Sequence, residues 1–143
     1  MVRWTTGVTR TTEIMHIIVC SKNRLIVEAT SRAFEPRLPR LTVCESGLEV
    51  LGAVEIVDAD LLVVDMQTPG LSSLLILAAV RELAPDLPIL AVSHRPEEDA
   101  RMISHKGVSF AILPAAGEGS TQDLASTLAQ LADRNEVALS RVH

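Results

Sequence analysis

Residues 60–70 read Asp-Leu-Leu-Val-Val-Asp-Met-Gln-Thr-Pro-Gly, and this stretch decides the fold. The consecutive branched apolar residues at 61–64 are typical of a strand that is buried on both faces, as the strands of parallel sheets are. The run ends at Asp65, and the Pro-Gly pair at 69–70 predicts a turn soon after it. Open α/β sheets keep their functional crevices at the carboxyl ends of their strands. Asp65 is therefore predicted to lie at the mouth of such a crevice.

The rest of the chain alternates short apolar runs with helical patterns. Strands are predicted at 14–20, 41–44, 61–65, 89–92 and 108–113. A helix is predicted after each strand. Ser21 is expected to cap the first helix, and Ser46-Gly47 to open the second. The other three are predicted from Ser72 to about Leu83, from Pro96 to Gly107, and from about Thr121 to Arg134. In the second helix the apolar positions are Leu48, Leu51, Ala53, Val54 and Ile56.

This alternation predicts a flavodoxin-like, doubly wound α/β fold, (βα)5, because parallel strands are joined by right-handed crossovers. The expected five-stranded parallel sheet has the strand order 2-1-3-4-5. The switch point then lies between the first and third strands. Residues after Cys20 and the side chain of Asp65 are expected to line the crevice there.

The chain has the size of one domain, at 143 residues. Residues 1–13 are rich in Thr and Arg, lack periodicity and predict a flexible N-terminal tail. Residues 14–134 are predicted to form the domain, and residues 135–143 a C-terminal tail or the start of a linker. Hydrophobic residues make up 48% of the chain and aromatic residues 2%, so the expected core is aliphatic.

Composition and charge disfavour several functional classes. The formal net charge is −5 and no basic patch is visible, so direct nucleic-acid contact is not expected. No apolar run reaches the roughly 18 residues of a membrane span. Cys20 and Cys44, without a CxxC motif or a secretory leader, favour a reducing cytoplasm. The sequence has no Gly-x-Ser-x-Gly, Walker or Gly-x-Gly-x-x-Gly motif, so no enzyme is predicted.

Three motifs in this order resemble the receiver domain of bacterial response regulators, the CheY-like domain of two-component systems and phosphorelays. Residues 60–71 resemble the phosphoacceptor strand and its loop. Residues 88–93, Pro-Ile-Leu-Ala-Val-Ser, resemble the strand that ends in the switch Ser/Thr, and residues 107–114, Gly-Val-Ser-Phe-Ala-Ile-Leu-Pro, resemble the final strand. The resemblance implies that Asp65 is the phosphoacceptor equivalent and that Ser93 and Phe110 are the switch residues.

Other positions depart from the receiver pattern. Cys20 and Ser21 stand where the family carries two acids that help to hold Mg²⁺, an ion that takes oxygen ligands. Leu113 stands where the family has the Lys that contacts the phosphoryl oxygens. His94 follows the switch serine, where the family prefers a small residue. These departures indicate a degenerate receiver, or pseudo-receiver, with weak or absent phosphotransfer.

The favoured hypothesis is therefore a phosphorylation-independent protein-interaction and regulatory module that needs no cofactor. Its expected working surface is the face of the fourth helix, fifth strand and fifth helix, which receivers use for homodimers and partner contacts. The alternative is a functional receiver, phosphorylated on Asp65 by a histidine kinase with Mg²⁺. A third hypothesis is an unrelated flavodoxin-like module that binds a small ligand.

The cysteines leave two further alternatives open. Cys20, Cys44, Asp65 and His94 are expected near one sheet edge, where they could form a soft-metal site, and the two cysteines could form a redox disulfide. Buried thiols that pack as small hydrophobic groups are the favoured interpretation. Glu45 could replace a missing Mg²⁺ ligand, but it follows the second strand, one strand too far out. No metal site is predicted.

Overall fold

The computed structural model describes residues 14–35, 39–67, 73–93, 108–112 and 121–134. Five parallel strands form one sheet in the order β2-β1-β3-β4-β5. They are β1 His16–Cys20, β2 Arg40–Cys44, β3 Leu61–Asp65, β4 Ile89–Ser93 and β5 Val108–Ile112. The predicted fold class and strand order are confirmed.

Four helices lie in the described residues, namely α1 Arg24–Ala33, α2 Gly47–Ile56, α3 Ser73–Leu83 and α4 Thr121–Arg134. The helix predicted over 96–107 and the tails predicted at 1–13 and 135–143 lie outside them. None of the described helices combines the length and the apolar character that crossing a bilayer requires.

Helices cover both faces of the sheet, which explains why every residue of β3 and β4 is buried. On one face, α1 and α4 share a core with alternate strand residues, including Ile17, Val19, Leu61, Val63, Ile26, Leu124 and Leu128. On the other face, α2 and α3 share a second core, including Ile18, Leu62, Val64, Val50, Ile76, Leu77 and Val80. The central strands therefore bury both sides, as their unbroken aliphatic runs predict.

The start of α1 corrects one prediction from the sequence. Ser21 is not its N-cap; the cap is Asn23, whose Oδ1 accepts a hydrogen bond of 2.9 Å from the Leu25 N–H. The start of α2 agrees with the prediction, because the Ser46 Oγ accepts a bond of 3.4 Å from the Glu49 N–H. Since Asn23 satisfies the first turn of α1, the hydroxyl of Ser21 is available for another contact.

Candidate functional site

The carboxyl ends of β1 and β3 lie side by side at the switch point of the sheet. β1 pairs with β2 on one side and with β3 on the other, so the residues after β1 lie next to the end of β3. Asp65 ends β3 with 7% of its surface exposed, and Ser21 follows β1 with 1% exposed. The structure thus places both predicted site residues together and buries both.

Both carboxylate oxygens of Asp65 accept hydrogen bonds from the chain itself. The Ser21 Oγ–H donates to Oδ2 at 2.9 Å. The backbone N–H of Gln67 donates to Oδ1, also at 2.9 Å. The second bond closes an Asx-turn, in which an aspartate side chain binds the backbone two residues further on. Because a buried carboxylate without such donors would be costly, these bonds explain how the acid is kept inside.

Ser21 connects this carboxylate to the start of α1. While its hydroxyl donates to Asp65, its Oγ accepts a hydrogen bond of 2.9 Å from the Asn23 N–H. Its own backbone N–H donates to the Cys44 carbonyl at 3.0 Å. Asn23 caps α1, so hydrogen bonds run from the end of β3 through Ser21 to the first turn of the helix. The hydroxyl is satisfied as donor and as acceptor, which holds its rotamer.

Cys20 stands at the other position where the receiver pattern has an acid, and its surroundings disfavour a role as a magnesium ligand. Its side chain belongs to the core that α2 and α3 cover, and its Sγ lies 3.7 Å from the Ser46 carbonyl oxygen. Among the described residues, no three His, Cys, Asp or Glu side chains are grouped so that they could hold a metal ion. Glu45 is exposed, and its backbone N–H donates to the Glu49 carboxylate at 3.3 Å.

The two cysteines are register partners at the ends of β1 and β2. Cys20 and Cys44 are both buried, and they are thiols that are not joined by a disulfide. Burial raises the pKa of the Cys44 thiol, and the charge of Glu49 raises it further. A raised pKa lowers the fraction of thiolate, which is the form that attacks disulfides and binds metals. These features favour the interpretation of packed thiols.

Both predicted switch residues, Ser93 and Phe110, lie on described strands of the sheet. Ser93 ends β4 and is buried, and Val92 before it is the register partner of Asp65. The Met66 N–H donates to the Val92 carbonyl at 2.9 Å, which ties the residue after Asp65 to β4. Phe110 lies on β5 as the register partner of Ala91. Leu113 and His94 lie outside the described residues, so their roles stay predictions.

Two contributors to the site were not predicted from the sequence. Asn23 caps the helix, and the Gln67 backbone N–H binds the carboxylate. Asparagine is a favoured N-cap residue, so Asn23 could have been found beside Ser21 as a second cap candidate. An aspartate at the start of a turn signals an Asx-turn, which would have indicated Gln67.

Comparison with known proteins gives one relative by sequence and several by structure. No family model matches the chain. A curated relative is the DNA-binding transcriptional regulator NtrC of Klebsiella pneumoniae, which is 32% identical over 73 residues, or 51% of this chain. The matched residues cover 16% of NtrC, so the match spans about a sixth of the length of that relative.

Solved structures resemble the chain over most of its length. The response regulator domain of Thermotoga maritima CheB has a TM-score of 0.70 at 16% identity, over 86% of this chain and 96% of that one. A CheY-like receiver domain protein of Methanospirillum hungatei has a TM-score of 0.64 at 15% identity, over 87% and 98%. The phosphorylated cyanobacterial phytochrome response regulator RcpA has 0.64 at 19%, over 85% and 93%. The chain therefore has the fold of a CheY-like response-regulator receiver domain.

Proposed function

We propose that the chain is a receiver-type signalling module that regulates a protein partner without carrying a phosphoryl group on Asp65. The observation that supports this most directly is the buried hydrogen bond of 2.9 Å from the Ser21 hydroxyl to the Asp65 carboxylate. It places a neutral donor at one of the two positions where the receiver pattern has acids. The other position holds the fully buried Cys20.

Charge is the reason why this arrangement disfavours phosphotransfer. Phosphoryl transfer depends on positioning and on neutralising the charge of the transferred group, usually through a bound divalent cation. Mg²⁺ requires several oxygen ligands, and carboxylates are the usual ones. Cys20 and Ser21 leave Asp65 as the sole carboxylate among the three receiver positions that supply acids. Loss of one preorganised stabilising group typically slows a reaction by roughly 10²–10³, and here more than one is replaced.

The fold and the sequence match support a role in signalling of the two-component type. NtrC is a DNA-binding regulator, but this chain carries a net charge of −5, so the proposed contacts are with protein rather than nucleic acid. No cofactor and no enzymatic activity are part of the proposal, and the proposed location is the cytoplasm. Contact through the face that includes the helix predicted over 96–107 stays a prediction, because that helix lies outside the described residues.

The test is incubation of the chain with acetyl phosphate and Mg²⁺, followed by intact-protein mass spectrometry. The proposal expects no adduct on the wild-type chain, and an Asp65→Asn variant serves as the matched control. An adduct of one phosphoryl group that requires Mg²⁺ and is absent from the Asp65→Asn variant would overturn it. A receiver of known activity, treated in parallel, shows that the reagent works.

A working phosphoacceptor is the second candidate function. It is favoured by the place of Asp65 at the switch point of the sheet and by the buried Ser93 at the end of the neighbouring strand. In that case a histidine kinase would be the partner and Mg²⁺ the cofactor. The same mass measurement, repeated with a histidine kinase and ATP, separates the two candidates.

A further inference from the structure

The solvent side of α2 carries an apolar stripe where a surface helix normally has polar residues. Leu48, Gly52 and Ile56 follow one another at four-residue spacing, so they lie along one face of the helix. Leu48 is 66% exposed and Ile56 is 86% exposed. Val50, on the opposite side, is buried in the core. The stripe is therefore not part of the packing that holds α2 to the sheet.

Gly52 lies at the centre of this stripe, although the fold does not need a glycine there. A Cβ added at Gly52 would meet no atom within 4 Å. Glycine inside a helix is less favourable than alanine, so its presence lowers the stability of α2. A glycine between two exposed aliphatic side chains leaves a notch in the helix surface. Another backbone is able to approach closely at such a notch.

The segment of sequence that contains the stripe carries charge of one sign. Residues 41–80 contain no Lys, Arg or His, whereas their acids are Glu45, Glu49, Glu55, Asp58, Asp60 and Asp65. Glu49 and Glu55 are exposed on α2 itself and flank the stripe. The next cation along the chain is Arg81, whose Nη1 donates to the carbonyls of Pro85 and Leu87 at 2.9 and 2.8 Å.

We infer that this face of α2 docks a basic amphipathic helix of a partner protein. Apolar side chains of that helix would contact Leu48 and Ile56, its backbone would cross at Gly52, and its Lys or Arg residues would pair with Glu49 and Glu55. This is recognition of an amphipathic helix through apolar anchors with a complementary charged rim. A second copy of the same face is a poor occupant, since it would bring two acidic rims together. The inference rests on the proposed function for the partner's regulatory role.

The probe is a dye-labelled amphipathic helix of leucine and lysine, with leucines at i, i+3, i+4 and i+7, and binding is measured by fluorescence anisotropy with the full chain. We expect saturable binding that Ile56→Asp weakens by roughly tenfold or more, as loss of an interface anchor does. Gly52→Leu is expected to weaken it as well, by blocking close approach. Ile14→Asp is the matched control: Ile14 is 58% exposed but lies outside α2, so binding should not weaken.

The Ile56→Asp variant separates apolar docking from general attraction between opposite charges. It adds a negative charge, so a purely electrostatic contact with the lysine helix would become tighter. Tighter or unchanged binding by Ile56→Asp would therefore overturn the inference. If that variant does not fold, as judged by circular dichroism, Leu48→Gln gives the same test without a new charge.

Binding of a different partner at this face of α2 would be detected by different results. A wild-type dimer in size-exclusion chromatography with light scattering, made monomeric by Ile56→Asp, would assign the face to a second copy and overturn the inference. Equal binding of a leucine–glutamate helix would also contradict it. A phosphoryl adduct on Asp65 would overturn the proposed function but leave the peptide result unchanged, so the two failures are distinguishable.

Discussion

Replacement of Ser21 with alanine tests the hydrogen-bonded arrangement around the candidate site. The change removes a buried hydroxyl that donates to the Asp65 Oδ2 at 2.9 Å and accepts from the Asn23 N–H at 2.9 Å. Ser21 is almost fully buried, so water cannot easily take the place of the hydroxyl. The carboxylate stays buried while it loses this donor.

The expected loss of stability follows from these two bonds. A hydrogen bond to a charged acceptor contributes about 1.5–3 kcal/mol. The bond from the Asn23 N–H contributes less, because Asn23 is exposed and water can bind its amide. We therefore expect Ser21→Ala to lower the free energy of unfolding by about 2–3 kcal/mol. For a domain of this size, that corresponds to a fall in Tm of roughly 6–9 °C.

The assay is urea unfolding of the wild type, Ser21→Ala, Asp65→Ala and the double variant, followed by circular dichroism. We expect Ser21→Ala to cost at least about 1.5 kcal/mol less when Asp65 is already alanine, which is the signature of a direct interaction. Ser46→Ala is the control, because it removes the cap of α2 without touching Asp65. Equal costs of Ser21→Ala in both backgrounds would refute a bond of this strength between the two side chains.

Three further predictions concern the same sheet edge and α2. Gly52→Ala should raise the free energy of unfolding by about 0.5–1 kcal/mol in urea titrations, because the new Cβ meets no atom within 4 Å; a lower stability would contradict this. Burial and Glu49 raise the pKa of the Cys44 thiol, so the contribution of this thiol to stability is complete below its unfolded pKa of about 8.5 and is lost as pH rises through its folded pKa. Between about pH 7 and 10, the free energy of unfolding of the wild type should therefore fall more steeply with pH than that of Cys44→Ala. Identical slopes for the two proteins would argue against the shift. Ser21→Asp places a second carboxylate beside Asp65, so Mg²⁺ at ten times its Kd should raise the free energy of unfolding of this variant by about 1.4 kcal/mol. The wild type is the control and should not be stabilised by Mg²⁺. A Ser21→Asp variant that Mg²⁺ does not stabilise would contradict the prediction.

The central strands were predictable because their environment leaves a direct signature in the sequence. Residues 61–64 and 89–92 are buried on both faces, so nearly any polar residue there would be costly. The ends of the outer elements are less well determined. The predicted first strand began at Ile14, whereas its ladder with β2 begins at the pair His16 and Arg40. Ile14 lies outside the ladder and is largely exposed, so its apolar character did not indicate pairing.

The surface of α2 shows a limit of periodicity. Apolar residues occur nearly all round this helix, so the pattern could not separate the buried Val50 from the exposed Leu48 and Ile56. A hydrophobic residue is predicted to lie inside by default, and only the position of the sheet shows which side of the helix is covered.

The position of Asp65 was predictable, but its partner was not. Ser21 and Asn23 are both good N-cap residues, and the choice between them depends on helix bounds that sequence patterns leave uncertain by a few residues. The bond between Ser21 and Asp65 joins residues that are 44 positions apart. It exists because the strand order places β1 beside β3, which is a property of the whole sheet rather than of either local sequence.

That separation has a consequence for the order of folding. A contact between residues 44 positions apart requires closure of a long loop, here one that contains α1, β2 and α2. The carboxylate therefore finds its hydroxyl donor only after β1 and β3 have paired in register. A chain that has collapsed but has not aligned these strands would display Asp65 to solvent as an ordinary surface acid. The bond therefore reports that β1 and β3 have paired in register, whatever the order in which the other strands join the sheet.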